Sequence, residues 1–220
     1  MTEKKFEAVF IDWNGTLSTH RFWEHLSDPT HPHHEIFLQA EDILFGGSEF
    51  NHIFRPWMTG ELTTEEVLYQ FSKATGLSYN ILLSELETSC KIMQLVSPEV
   101  DELVQQIRQE GTKVVIATDN MDTFNRWTIP ALQLNETFDA ILNSYDLKAL
   151  KKDPPIDGVS PFFGRFLNEQ AINPANTIII DDSEDKGNMI QSYGIKYKRV
   201  EFGMGLIPTL EEILLAGAGS

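Results

Sequence analysis

The sequence predicts an α/β fold, in which a doubly wound and mostly parallel sheet carries an all-helical domain inserted after its first strand. Three observations lead to this prediction. Short apolar runs recur along the chain, helical patterns separate most of them, and one long early segment contains helical patterns alone. Strands that are apolar throughout are typical of a parallel sheet that helices cover on both faces.

Five apolar runs that end in polar residues are predicted to be strands. They are FEAVFI, KVVIA, DAILN, NTIII and a weaker IKYKRV. Apolar residues at helical spacing lie between most of them, as in VDELVQQIRQEG, where Pro98 stands in the first turn and Gly111 ends the pattern. We assign residues 1–17 and 95–220 to this core domain.

Residues 18–94 are predicted to form the inserted domain, because this segment has no convincing strand and several helical patterns in succession. The patterns are HRFWEHL, HEIFLQAEDILFGG, TTEEVLYQFSKATG and YNILLSELETSCKIM. Thr63 and Glu66 have the spacing of a capping box, and Gly76 supplies a stop. The HPHH stretch at 31–34 is expected to be a solvated loop, since the spacing of a zinc site is missing.

Composition excludes several classes of partner. The formal net charge of −16 argues against nucleic acid and anionic membrane, which both need clustered Lys and Arg. No stretch approaches the length of a membrane span, and the N-terminus lacks the apolar region of a secretory signal. The single cysteine, Cys90, excludes an internal disulfide and fits a reducing compartment. We therefore expect a cytoplasmic protein whose oligomeric state is open.

The residues that follow the predicted strands form an unusual set. Ligands of open α/β sheets bind beyond the carboxyl ends of the strands, so these positions are candidates for a site. In strand order they are Asp12, Thr118, then Lys148, Lys151 and Lys152, and finally Asp181 and Asp182. A single acid at such a position is usually a turn or cap residue. The co-occurrence of acids, a hydroxyl and lysines on one edge predicts an active site.

Four motifs in this order resemble those of the haloacid dehalogenase superfamily, whose phosphatases use an aspartate nucleophile. DWNGTL resembles its first motif, IATDN its second, KKDP its third and IIIDDS its fourth. The helical insertion resembles the C1-type cap of subfamily I, which closes over the active site of a Rossmann-like core. The resemblance implies a hydrolase that requires Mg²⁺ and removes phosphate from a small phosphorylated metabolite.

The resemblance also implies roles for particular residues. The catalytic positions are Asp12 as the nucleophile that forms an aspartyl-phosphate, Asn14, Thr118 and Lys151. The metal ligands are Asp12, Asp181, Asp182 and the backbone carbonyl of Asn14. The substrate-binding positions are Gly15, Thr16, Asp119, Asn120 and Lys152, and Lys152 is also an alternative to Lys151 as the lysine that binds phosphate. A cation and a lysine are both needed because a carboxylate repels an anionic phosphate.

Asn14 departs from the family pattern, since phosphatases of this family carry a second aspartate there as general acid and base. An amide does not deliver a proton, so we expect a loss on the order of 10²–10⁴-fold, most severe for alkyl phosphates. Two alternatives from other classes remain open: the chain is a weak relative that binds a phosphorylated ligand or a partner, or a metal-independent dehalogenase with Arg21 or Arg55 as its arginine. Phosphonate-cleaving members resemble DWNGT but use a lysine of the cap, and the only lysine between Ser18 and Cys90 is Lys73, late in the cap.

Overall fold

The structure, a computed structural model, describes residues 6–40 and 51–218. All five predicted strands are confirmed within these ranges, and all their pairings are parallel. Their bounds are Ala8–Ile11 (β1), Lys113–Thr118 (β2), Ala140–Asn143 (β3), Thr177–Asp181 (β4) and Lys196–Arg199 (β5). The order across the sheet is β3-β2-β1-β4-β5, so the chain winds outward from β1 and then crosses to its other side. The doubly wound fold class is thus confirmed.

The α-helices lie between and around these strands. In chain order they are His34–Ala40 (α1), Asn51–Met58 (α2), Thr64–Thr75 (α3), Tyr79–Lys91 (α4), Glu99–Gln109 (α5), Ile129–Leu132 (α6), Leu134–Thr137 (α7), Ser144–Leu147 (α8), Gly164–Glu169 (α9), Met189–Ser192 (α10) and Leu206–Ala218 (α11). Short 3-10 helices span Glu24–Leu26, Pro174–Asn176 and Lys186–Asn188, and a π-helical turn spans Phe124–Thr128. No helix in the described ranges has the length and apolar character needed to cross a membrane.

The two faces of the sheet pack against different helices. Successive side chains of a strand point to opposite faces, so β1 contributes to two apolar clusters. Val9 and Ile11 belong to one cluster with Val104 of α5, whereas Ala8 and Phe10 belong to another that includes α9. All four β1 residues are fully buried, which explains why the strand is apolar throughout. The burial holds the carboxyl end of β1 in a fixed position.

The segment between β1 and α5 is helical in its described residues, as the sequence predicts. The capping box of Thr63 and Glu66 is present at the start of α3, and Gly76 ends this helix with a φ of +76°. The prediction of a helix over HRFWEHL was wrong, because Trp23 has a φ of +59° and only Glu24–Leu26 forms a 3-10 turn. The stretch 41–47 of the pattern HEIFLQAEDILFGG lies outside the described residues.

This helical segment has an apolar core of its own that also reaches the sheet domain. Trp23, Trp57 and Phe71 are almost fully buried in it. Met121 and Trp127, which follow β2, pack in the same cluster. The segment therefore lies over the loop that leaves the carboxyl end of β2.

Candidate active site

The turn after β1 holds four of the predicted site residues. The backbone N–H of Asp12, which is 7% exposed, donates to the carbonyl oxygen of Ile180 in β4 at 2.9 Å. Gly15 has a φ of +76°, in the left-handed region that favours glycine. Thr16 is buried, whereas Asn14 is exposed. The turn thus fixes the Asp12 carboxylate at the sheet edge and leaves Asn14 at the surface.

The ammonium group of Lys151 lies between two carboxylates. Its Nζ atom is 2.7 Å from Oδ1 of Asp12 and 2.7 Å from Oδ2 of Asp181. The three side chains are buried, and Lys151 is only 4% exposed. Asp181 ends β4, and its Oδ1 accepts hydrogen bonds from the backbone N–H and the hydroxyl of Ser183. Lys151 therefore supplies positive charge at the centre of the cluster.

Burial and charge give the members of this cluster different acidities. Burial, together with Asp181, raises the pKa of Asp12 to about 7 despite the Lys151 ammonium. Burial also acts to raise the pKa of Asp181, but Lys151 and the hydrogen bonds from Ser183 outweigh it and lower that pKa to about 2. For Lys151, the effect of burial is exceeded by that of the carboxylates, which raise its pKa. Without another cation, Asp12 is thus the member that takes up a proton most readily.

Asp182 completes a group of three carboxylates. Asp12, Asp181 and Asp182 each offer an oxygen atom, and these atoms lie within 4.8 Å of one another. A Cβ atom at Gly15 would lie 2.4 Å from Oδ2 of Asp182, so only glycine leaves room for this carboxylate. Burial and the charge of Asp181 raise the pKa of Asp182, an unfavourable state that a cation relieves. Because Mg²⁺ takes oxygen ligands, the donor set fits this ion.

Two buried hydroxyl groups at the site have no hydrogen-bond partner in the part of the chain that the structure describes. They are Oγ1 of Thr118, at the end of β2, and Oγ1 of Thr16. Buried polar groups are nearly always bonded, so these hydroxyls are suited to donate to a ligand. Ile11 pairs with Ile116, so β1 and β2 end side by side and place Thr118 at the same edge as Asp12.

The loop after β2 is tied to its neighbours by Asp119 and Asn120. Oδ1 of Asp119 accepts the backbone N–H of Lys151 at 2.9 Å, and burial raises the pKa of Asp119 despite this lysine. The backbone N–H of Asn120 donates to Oγ of Ser144 at 3.0 Å, and the Ser144 hydroxyl donates to the carbonyl oxygen of Met58 at 2.7 Å. Ser144 therefore joins this loop to α2. It was not among the predicted site residues, although it follows a strand.

The two candidate lysines have different surroundings. Lys152 Nζ donates to Oγ of Ser183 at 2.8 Å and to the carbonyl oxygen of Glu184 at 2.7 Å. Lys151 contacts Asp12 directly. The structure therefore brings Lys151 to the carboxylates, while the Lys152 side chain binds the loop after β4.

A cleft of about 310 Å³ opens beside Asn14, Gly15, Asp119 and Asn120, between the helical segment and the sheet edge. Most of its other lining side chains are apolar, namely Phe22, Phe54, Met58, Met93, Met121 and Phe202. Phe202 was not predicted from the sequence. Phe202 follows a predicted strand, as the predicted site residues do. That strand, β5, has the weakest apolar pattern of the five.

The three basic residues named for the dehalogenase and phosphonate-cleaving interpretations lie in different surroundings. Arg55 forms a two-bond ion pair with Asp153 at 2.7 and 2.9 Å. Lys73 Nζ lies 4.7 Å from the centre of the Tyr69 ring. Arg21 lines the cleft. Of these three, Arg21 is the one placed beside the candidate site.

The HPHH stretch differs from the solvated loop that we expected. His33 Nδ1 is 2.5 Å from one oxygen of Glu85, and His25 Nε2 is 2.9 Å from the other. His34 begins α1, and its Nδ1 is 2.8 Å from the carbonyl oxygen of Leu26. A contact of His33 with α4, distant in sequence, and one of His34 with Leu26 thus hold the stretch in place.

Comparison with solved structures identifies related folds. A HAD family enzyme from Bacteroides thetaiotaomicron has a TM-score of 0.72 at 19% identity, over 94% of this chain and 98% of that one. A predicted HAD-like family hydrolase from Porphyromonas gingivalis has a TM-score of 0.66 at 15% identity, with 95% and 98% of the two chains covered. At these identities, the likeness shows a shared fold.

Two further solved structures share the fold. The Bacteroides enzyme also has a structure in complex with magnesium and inorganic phosphate, which matches at 18% identity and a TM-score of 0.62 over 91% of this chain and 96% of that one. The L-2-haloacid dehalogenase from Xanthobacter autotrophicus matches at 15% identity and a TM-score of 0.58, over 89% of this chain and 77% of that one. No curated protein matches the sequence.

The sequence itself matches a family model. The model describes a haloacid dehalogenase-like hydrolase and covers residues 6–194, which include β1, β2, β3 and β4 and every predicted site residue. This match confirms the superfamily that the four motifs indicated. The chain belongs to the family of haloacid dehalogenase-like hydrolases.

Proposed function

We propose that the protein is a Mg²⁺-dependent phosphatase of a small phosphorylated metabolite, with Asp12 as the nucleophile. The observation that carries the proposal is the position of the Lys151 ammonium, 2.7 Å from the Asp12 carboxylate at the edge where the Thr118 hydroxyl finds no hydrogen-bond partner among the described residues. A carboxylate, a cationic group and a buried hydroxyl donor at one sheet edge suit a tetrahedral anion.

In the proposed reaction, an oxygen of Asp12 attacks phosphorus while the bond from phosphorus to the leaving oxygen breaks. The leaving oxygen keeps the electron pair and receives a proton from water, since Asn14 has none to give. Water then attacks phosphorus, and the bond between phosphorus and the Asp12 oxygen breaks. This step releases phosphate and restores the carboxylate. Thr118 and Lys151 hold the phosphoryl oxygens through both steps.

Asp12, Asp181, Asp182 and the backbone carbonyl of Asn14 are the residues that we propose as ligands of Mg²⁺. The ion supplies charge that offsets the repulsion between the carboxylate and the phosphoryl group. Gly15 supports this set because it alone leaves space for the Asp182 side chain. The neighbouring fold from Bacteroides, which is solved with magnesium and inorganic phosphate, supports the choice of ion.

We also propose that residues 18–94 act as a cap, over a core formed by residues 1–17 and 95–220. The apolar core of the helical segment, the hydrogen bond from Ser144 to Met58, and the ion pair of Arg55 with Asp153 support this division. Phe22, Phe54 and Met58 of the helical segment line the cleft, so this segment is in a position to select the leaving group.

The test is a panel of phosphorylated metabolites, which also includes 4-nitrophenyl phosphate, assayed for phosphate release with and without Mg²⁺. Wild type is expected to release phosphate only with Mg²⁺, and Asp12→Asn is expected to lose all activity because an amide does not form the aspartyl-phosphate. Asp157→Asn is the matched control, since Asp157 is exposed and its φ of +52° suits asparagine.

Other outcomes identify the alternatives. Halide release from a 2-haloacid without Mg²⁺ contradicts the proposal and assigns the protein to the chemistry of its dehalogenase neighbours. Binding of inorganic phosphate without turnover of any ester, in wild type and in Asn14→Asp, assigns it to the ligand-binding class instead.

A further inference from the structure

The residue at the mouth of the cleft next to Asp12 is an amide. Asn14 is exposed, lines the cleft and stands two positions after the proposed nucleophile. An amide is not an acid at any physiological pH, so it stabilises a leaving oxygen by hydrogen bonding at most. The chemical step at this site therefore favours a leaving oxygen that departs without first taking a proton.

The space beyond Asn14 is small and apolar. Phenylalanine side chains at 22, 54 and 202 and methionine side chains at 58, 93 and 121 are six of the thirteen residues that line the 310 Å³ cleft, and they form its apolar wall. Aromatic rings pack on one another in offset or edge arrangements, and methionine side chains adapt to irregular ring edges. Such a wall offers few partners to the hydroxyl groups of a sugar phosphate, which would lose their hydrogen bonds to water on entry.

These two observations are independent, because one concerns proton transfer and the other concerns binding, and they point to the same ligand. We infer that the substrate is a phosphate monoester of an aromatic hydroxyl, with its ring seated against Phe22, Phe54 and Phe202. The inference rests on the proposed phosphatase function and names its substrate class. A phenolic hydroxyl has a pKa of about 10, whereas an aliphatic alcohol is a far weaker acid, so the phenolate departs more easily.

The proposed hydrolysis of an aryl phosphate needs no proton from an acidic side chain of the protein. The bond between Asp12 and phosphorus forms as the bond from phosphorus to the aryl oxygen breaks, and the electron pair leaves as phenolate. The phenolate takes its proton from bulk water. Water then replaces Asp12 on phosphorus, and its proton passes to bulk solvent.

Three other ionisable side chains line the cleft, namely His20, Arg21 and Asp119. The Arg21 guanidinium does not give up its proton, so Asp119 and His20 are the two that bear on the inference. Oδ1 of Asp119 is held by the backbone N–H of Lys151, and His20 lies on the cap side, 3.8 Å from Glu24. Proton donation by either would allow alkyl esters to react as fast as aryl esters. The rates of a matched pair of esters therefore decide the question.

Phenyl phosphate and benzyl phosphate form this pair, because both carry one ring but only the first leaves as a phenolate. In wild type with Mg²⁺, kcat/KM is expected to be higher for phenyl phosphate by about 10²-fold or more. Asn14→Asp is expected to raise kcat/KM for benzyl phosphate far more than kcat/KM for phenyl phosphate. Rates within tenfold of each other in wild type would overturn the inference while leaving the phosphatase proposal intact.

The binding part of the inference has its own test. Phe54→Ala is expected to raise the KM of phenyl phosphate several-fold and to leave inhibition by inorganic phosphate unchanged, since phosphate does not reach the ring wall. Phe54→Leu keeps an apolar side chain in the fold and is expected to have a smaller effect. An unchanged KM in both variants contradicts an aromatic subsite. Absence of Mg²⁺-dependent phosphate release from every ester, including 4-nitrophenyl phosphate, overturns the proposed function itself.

Discussion

The Lys151 ammonium lies 2.7 Å from the Asp12 carboxylate, and the same nitrogen is 2.7 Å from Asp181. Neither carboxylate has another basic side chain within ion-pair distance in the described part of the chain. One lysine, contributed by a loop that is distant in sequence from both acids, therefore neutralises a cluster that burial would otherwise disfavour.

Replacement of Lys151 by methionine is expected to abolish activity and to lower the free energy of unfolding. The loss leaves two buried carboxylates unpaired, which costs about 3–5 kcal/mol of unfolding free energy. Denaturant unfolding and phosphate release measure the two effects. Lys152→Met is the matched control, because Lys152 binds Ser183 and the loop after β4 rather than Asp12; it is expected to cost about 1 kcal/mol and to keep most activity. Equal losses of activity in both variants would contradict the assignment of Lys151.

Gly15→Ala is expected to damage the metal site as well as the turn. The φ of +76° costs an alanine about 1–2 kcal/mol, and its Cβ would displace the Asp182 carboxylate from which it lies 2.4 Å. We therefore expect a lower affinity for Mg²⁺, measured by calorimetry, together with a loss of activity. Gly76 separates the two effects, since it has the same φ of +76° but no atom of residues 6–40 or 51–218 within 4 Å of its Cβ position. Gly76→Ala is expected to lower stability alone.

The aspartyl-phosphate is expected to accumulate in wild type. If the proposed function holds, 4-nitrophenyl phosphate phosphorylates Asp12 without an acid, whereas the attack of water has no carboxylate base at Asn14. Rapid mixing should show a burst of about one nitrophenolate for each active site before a slow steady state. Asn14→Asp should abolish the burst and raise steady-state turnover by about 10²–10⁴-fold. A linear time course from the first turnover in wild type would contradict the accumulation of the aspartyl-phosphate.

The ion pair of Arg55 and Asp153 is expected to couple α2 to the loop that carries Lys151. The pair has two hydrogen bonds, but the Arg55 side chain is 56% exposed, so the expected coupling is about 0.2–1 kcal/mol and weakens with salt. A double-mutant cycle of Arg55→Met and Asp153→Asn, followed by denaturant unfolding, measures it. Zero coupling at low salt would contradict a contribution of this ion pair to stability.

Much of the fold was predictable because the strands of a parallel sheet that is buried on both faces are apolar at nearly every position. The strand of Val9 and Ile11 is apolar at every position since helices cover both faces, and its end is marked by the acid at Asp12. The capping box of Thr63 and Glu66 was predictable for a similar reason, since its hydrogen bonds lie within one turn of helix. The short helix expected around Trp23 was wrong because a contact distant in sequence, from its backbone N–H to Ser89, decides the backbone there.

The sequence by itself determined which residue types stand at the ends of the strands, and therefore that Asp12, Thr118 and the Asp181 and Asp182 pair share one edge. Only the tertiary structure decided which lysine reaches Asp12. Lys151 and Lys152 are neighbours in the chain, and the path of their loop turns one ammonium inward and the other outward. The apolar wall of the cleft likewise depends on the packing of the helical segment over the sheet, because residues such as Phe54 and Phe202 meet through the fold and share no pattern in the sequence.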